Sequence, residues 1–117
     1  MAMNNVKLTE IIGSTLAISP RSGQKAYDFV ADILITQKGP VQISFSEITD
    51  CSSAFCNSFI GKLYMNFDPN DVDTHVQFEN FDANPTWVNK IHNAKLLGAN
   101  ENFRISRQTS INDLIFS

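Results

Sequence analysis

The sequence predicts an α/β fold, a small sheet with helices in alternating strand-helix order. Three observations carry that expectation. Residues 41–45 alternate apolar and polar, the period of a half-buried strand. Two pairs, Ser19-Pro20 and Asn84-Pro85, each open an apolar run spaced at three and four residues. Strand-like and helix-like segments take turns along the chain, and such alternation favours parallel neighbours with right-handed crossovers.

The elements follow in order. Val6 to Leu8 begins a short strand that resumes at Ile11-Ile12, and Gly13-Ser14 breaks it. Ser19 caps a helix with Pro20 at its first position, and Ala26, Val30, Ile33 and Leu34 form its apolar stripe with Phe29 flanking. Lys38 and Gly39 end that helix, and Pro40 prevents its resumption. Val41, Ile43 and Phe45 form the buried face of the next strand, against Gln42 and Ser44. Ser46 to Asp50 reads as a loop.

A second helix runs from about Ser52 to Phe67, with Cys56, Phe59, Ile60, Leu63 and Phe67 as its stripe. Gly61 inside it costs about 1 kcal/mol against Ala, which implies close packing there. Asp68 to Asp73 is turn chemistry. Thr74 to Phe78 is a third strand. The helix opened by Asn84-Pro85 carries Val88, Ile91 and Ala94 on one side, and Gly98 closes it. Residues 1–99 form the domain. Residues 100–117 form an extension, polar until Ile111, Leu114, Ile115 and Phe116, which reads as a docking helix or a partner contact. The stretch from Asn100 to Ile105 is also a candidate edge strand.

Composition narrows the function. The 117 residues are one domain's length, and nine Phe with one Trp argue against disorder. Twelve acidic against nine basic residues leave a net charge of −3. That balance argues against a general nucleic-acid binder, which needs a basic footprint. No apolar run reaches the length of a membrane span, and residues 1–9 contain no leader-like core. Cys51 and Cys56 lie five apart in a segment read as helix. Five helical residues rotate about 500°, so the two read as poor disulfide partners. Free thiols and no leader lead to an expected cytoplasmic location.

The chemistry-bearing residues are few. His75, His92, Cys51 and Cys56 lack metal-ligand spacing, so no metal and no cofactor is expected. The glycines at 13, 23, 39, 61 and 98 form no phosphate loop. Asp68 to Asp73 lacks the glycine and the terminal glutamate of a calcium loop. Cys51, just before a helix, is a candidate nucleophile with His75 or His92, although no thiol-enzyme signature surrounds it. The richest segment is Ile48-Thr49-Asp50-Cys51-Ser52-Ser53-Ala54-Phe55. It places a hydroxyl-rich patch at a helix N-terminus, a favourable place for an anion or a phosphoserine. Capping alone accounts for one of Asp50, Ser52 and Ser53, not for all three.

Here the chain resembles a known family. The strand Val41 to Phe45, then Ser46-Glu47-Ile48, Ser52-Ser53-Ala54-Phe55 and Phe59-Ile60-Gly61-Lys62-Leu63, looks like a bacterial STAS-like domain of unknown function. Ser19-Pro20-Arg21 fits the same pattern, and the likeness covers about residues 6–98. The wider resemblance is to STAS domains, the fold of anti-sigma factor antagonists. In those proteins a serine within an Asp-Ser-Ser/Thr-Gly motif is phosphorylated by a partner-switch kinase. This chain has Asp50-Cys51-Ser52-Ser53-Ala54, with one residue inserted after the Asp and Ala54 in place of the Gly.

The resemblance implies a non-enzymatic regulatory module whose partner is a histidine-kinase-like ATPase. Ser53 is the first phosphorylation candidate and Ser52 the second. Glu47, Thr49, Asp50, Ser52, Ser53 and Asn57 would line the docking surface. The rival expectations are the Cys51 enzyme and a structural subunit, in the simplest case a homodimer, assembled through 111–116.

Overall fold

The structure, a computed structural model, describes residues 4–36, 39–82 and 84–116, with side chains through Phe103. Three parallel strands make the main sheet: β1 (Asn4–Lys7), β3 (Val41–Ser44) and β5 (Val76–Glu79), in the spatial order β1-β3-β5. A second pair is only two residues long: β2 (Leu16–Ala17) and β4 (Asp50–Cys51), also parallel. The helices are α1 (Leu8–Ile12), α2 (Pro20–Thr36), α3 (Ser53–Cys56), α4 (Lys62–Asn66), α5 (Pro69–His75) and α6 (Pro85–Phe116). Between α3 and α4, Asn57–Gly61 form a π-helical turn. The junction residues stay helical, so residues 53–66 are one continuous rod. The predicted mixed α/β class and its parallel order are as observed.

The register sorts the sheet into two faces. Val6, Ile43 and Phe78 share one row, and Val41 and Val76 the row beside it. Val41 and Ile43 are completely buried. The rod lies on this face, with the Phe59 ring edge-on to Phe78 at 5.9 Å between centroids. Phe45 continues the aromatic contact to Phe78, Phe81 and Trp87. The other face is polar: Asn5, Gln42 and Gln77 in one row, Lys7, Ser44 and Glu79 in the next. All-parallel sheets are usually covered on both faces. Here the second face is held by side-chain bonds instead, with Gln42 donating to Glu79 at 2.7 Å and Asn80 donating to Ser44 Oγ at 2.8 Å.

Glycines set the rod between its neighbours. A Cβ at Gly23 of α2 would stand 2.7 Å from Ser58 Cβ and 2.8 Å from the Phe55 carbonyl. One at Gly98 of α6 would collide with the Gly61 carbonyl and stand 2.9 Å from Tyr64 Cβ. The close packing predicted at Gly61 is therefore present, with the Ala94 carbonyl 3.3 Å from where its Cβ would be. Farther along, Asn102 of α6 donates to the carbonyls of Tyr64 and Phe67, which satisfies the open end of α4. Tyr64 donates to Asp73, and burial together with that carboxylate pushes the phenol up.

Several predicted boundaries move. Ile11-Ile12 belong to a helical turn, not a resumed strand, and Gly13 caps that turn in the left-handed conformation at φ 69°. Asp68 to Asp73 is largely helix. Asp68 caps it by accepting from the Asn70 N–H, with Pro69 at the first position. Thr74 and His75 finish that helix, so the third main strand begins only at Val76. Gly98 does not close α6, because the helix runs on through 100–105, which excludes an edge strand there. Phe29 is partly exposed, beside a stripe of buried Ala26, Val30 and Ile33. Lys38 lies outside the described residues. So do the side chains of Ile111, Leu114, Ile115 and Phe116, although their backbone is helical.

Candidate functional site

The predicted docking residues gather where β4 runs into the rod. Thr49 is tied back to the β2 side: its N–H and hydroxyl both donate to the Thr15 carbonyl, at 2.9 and 3.2 Å. The Ser52 N–H donates to the Ala17 carbonyl at 2.9 Å. These bonds fix the strand-to-helix turn. Asp50 Oδ1 accepts from the Cys51 N–H at 2.8 Å, so its carboxylate is already bonded to the backbone.

Ser52 and Ser53 differ sharply. Ser52 is the N-cap: its Oγ accepts from the Phe55 N–H at 3.1 Å and donates to the Ile18 carbonyl at 2.6 Å. Ser53, the first helical residue, is exposed. Asn57, one turn on, is exposed as well. Glu47 sits farther back, in the turn after β3. It takes the left-handed backbone at φ 71°, and its carboxylate lies 3.9 Å from Lys7 Nζ. Both partners of that pair are largely exposed, so it contributes little stability. Thr49, Asp50, Ser53 and Asn57 are exposed and Ser52 half-buried along the stretch that leads from β4 into the rod, and the exposed Glu47 precedes them in the turn after β3.

The two cysteines overturn an expectation. Cys51 belongs to β4 rather than to the helix, so helical azimuth does not apply. Cys51 Sγ and Cys56 Sγ stand 3.4 Å apart, both completely buried. The hydrogen bond with the Cys56 thiol holds Cys51 below the ordinary thiol range, assisted by the Lys90 ammonium and opposed by burial and Asp50. Neither histidine is among these groups. His75 instead pairs its Nδ1 with the Asp71 carbonyl at 2.9 Å, and His92 is exposed on α6.

A polar cleft escaped the sequence reading. Lys7, Ser44 and Glu79 end the three main strands and line a cleft of about 410 Å³ together with Asn5, Glu10 and Asn80. Glu47 and Asn80, the two non-glycine residues with positive φ among those described, follow β3 and β5 beside it. Carboxyl ends of parallel strands are where open α/β sheets hold ligands. The available signal was the alternation itself, since Ser44 and Glu79 occupy polar positions at strand ends.

Among the described residues no helix is long and apolar enough to cross a membrane. No curated protein and no solved structure matches the chain. A family described as a STAS-like domain of unknown function matches residues 22–84, more than half of the chain and a narrower span than the sequence pattern implied. That span contains α2 from Ser22 onward, the main strands β3 and β5, the Ser52 cap, Ser53 and the whole rod. The chain belongs to the STAS-like domain family of unknown function.

Proposed function

We propose that this STAS-like chain is a non-enzymatic regulatory module that docks a histidine-kinase-like ATPase along the 46–60 edge, with phosphorylation of Ser53 releasing the partner. The observation that carries the reading is the division of labour at 52–53. The Ser52 hydroxyl is spent on the Phe55 N–H and the Ile18 carbonyl, whereas Ser53 points its chemistry outward at the first helical position. A phosphate on Ser53 adds nearly two negative charges at a helix N-terminus, which the fold tolerates. Within a docked interface the same charge is desolvated and repelled. Binding can therefore be lost without unfolding.

The test is affinity capture from native lysate with wild type and Ser53→Asp side by side, followed by titration of the captured ATPase. The expected result is more than tenfold weaker binding by Ser53→Asp with a nearly unchanged melting temperature. Equal binding by the two forms overturns the serine switch.

A further inference from the structure

The docking edge leaves two sulfurs unused, and the fold places them in contact. Cys51 ends β4 and Cys56 ends α3, with the Ser52 cap turning the chain between them. Their sulfurs, 3.4 Å apart, need to approach by only about 1.4 Å to reach the length of a disulfide bond. The pair is chemically unequal. A hydrogen bond joins the two sulfurs, and Lys90 Nζ, donating to the Cys51 carbonyl at 2.8 Å, sets a positive charge beside Cys51. The same hydrogen bond, together with burial, pushes the Cys56 thiol up. One sulfur is thus prepared as nucleophile and the other as its resolving partner.

We propose that Cys51 and Cys56 are a reversible thiol–disulfide modification site, oxidised by a small hydroperoxide with Cys51 reacting first. Complete burial of both sulfurs favours a hydroperoxide over a bulky disulfide as oxidant. The Cys51 sulfur attacks the peroxide, the O–O bond breaks, and the alcohol leaves carrying the thiol proton. Cys51 is then a sulfenic acid. The Cys56 sulfur attacks it, the S–O bond breaks, the S–S bond forms, and the Cys56 proton leaves with the hydroxyl as water. Two thiols and one hydroperoxide give one disulfide, one alcohol and one water. A dithiol reductant reverses the change by exchange. The ring that closes contains Ser52 and Ser53, and its chemistry requires no partner protein.

The experiment treats the full chain with hydrogen peroxide and follows intact mass and thiol content in denaturant. Wild type is expected to lose two hydrogens and both thiols, and dithiothreitol to restore them. Cys56→Ser should stop at a Cys51 sulfenic acid that dimedone captures, whereas Cys51→Ser should give no comparable adduct at Cys56. Lys90→Met should move the pH profile of oxidation upward, because the positive charge favouring the thiolate is gone. Wild type retaining both thiols while its methionines oxidise overturns the site. Equal dimedone capture by the two cysteine variants overturns the assignment of roles. The wild-type and Lys90→Met measurements stand even if a cysteine variant fails to fold.

Discussion

Ser52 and Ser53 share a side chain and a neighbourhood, yet the backbone gives them different work. Ser52 closes the helix and ties it to the end of β2. Ser53 makes neither of those bonds and faces solvent. Ser52→Ala should therefore cost about 1–2 kcal/mol of stability, while Ser53→Ala should stay within about 0.5 kcal/mol of wild type. Urea unfolding of the two variants decides it, and equal losses would remove the distinction. Hydroxyls before an apolar helix are a strong local signal and make the patch legible in the sequence, whereas the order of Ser53 before Ser52 rests on the family resemblance. The sequence reading failed at Cys51 for a physical reason: a two-residue strand has no period to detect. Its pairing to Leu16 and Ala17 comes from 34 positions away in the chain. Once Cys51 leaves the helix, the rotation that kept the sulfurs apart disappears.

At the scale of elements, one residue type carried two meanings. Gly13 ends a helix with a left-handed backbone, but Gly98 lies inside one and is needed for the crossing with Gly61. An exposed glycine within a helix gains about 1 kcal/mol on replacement by Ala. Gly98→Ala should instead destabilise by about 1–3 kcal/mol, since its methyl would strike the Gly61 backbone. Asn100→Ala, at an exposed position of the same helix, should be neutral or slightly stabilising. Thermal melts of the pair separate helix propensity from crossing geometry. The residues after Gly98 are compatible with a helix, so nothing local distinguished a stop from a contact. Asp68-Pro69 is the converse case. It uses the same cap-and-proline device as Ser19-Pro20 and Asn84-Pro85, but its short, acidic sequence concealed the helix that follows.

For the molecule as a whole, alternating order was enough to give parallel pairing, because a strand that returns through a helix arrives in the same direction. The reach of α6 was not legible, since the partners of Asn102 lie 35 and 38 residues earlier. Those bonds make the site of truncation matter. Removing 104–117 should leave a cooperative domain with a melting temperature within about 5 °C of wild type. Removing 100–117 also strips the Asn102 bonds to Tyr64 and Phe67, and should lower it by more than about 5 °C. Equal melting of the two truncations would show that Asn102 contributes nothing. The rod itself is gripped on two sides, backbone nearly against backbone, by α2 at Gly23 and by α6 at Gly61 and Gly98. An element clamped in this way cannot act as a lever. On the proposed function, a phosphate at Ser53 would act on the spot, as local charge, because the rod that carries it is held on both sides.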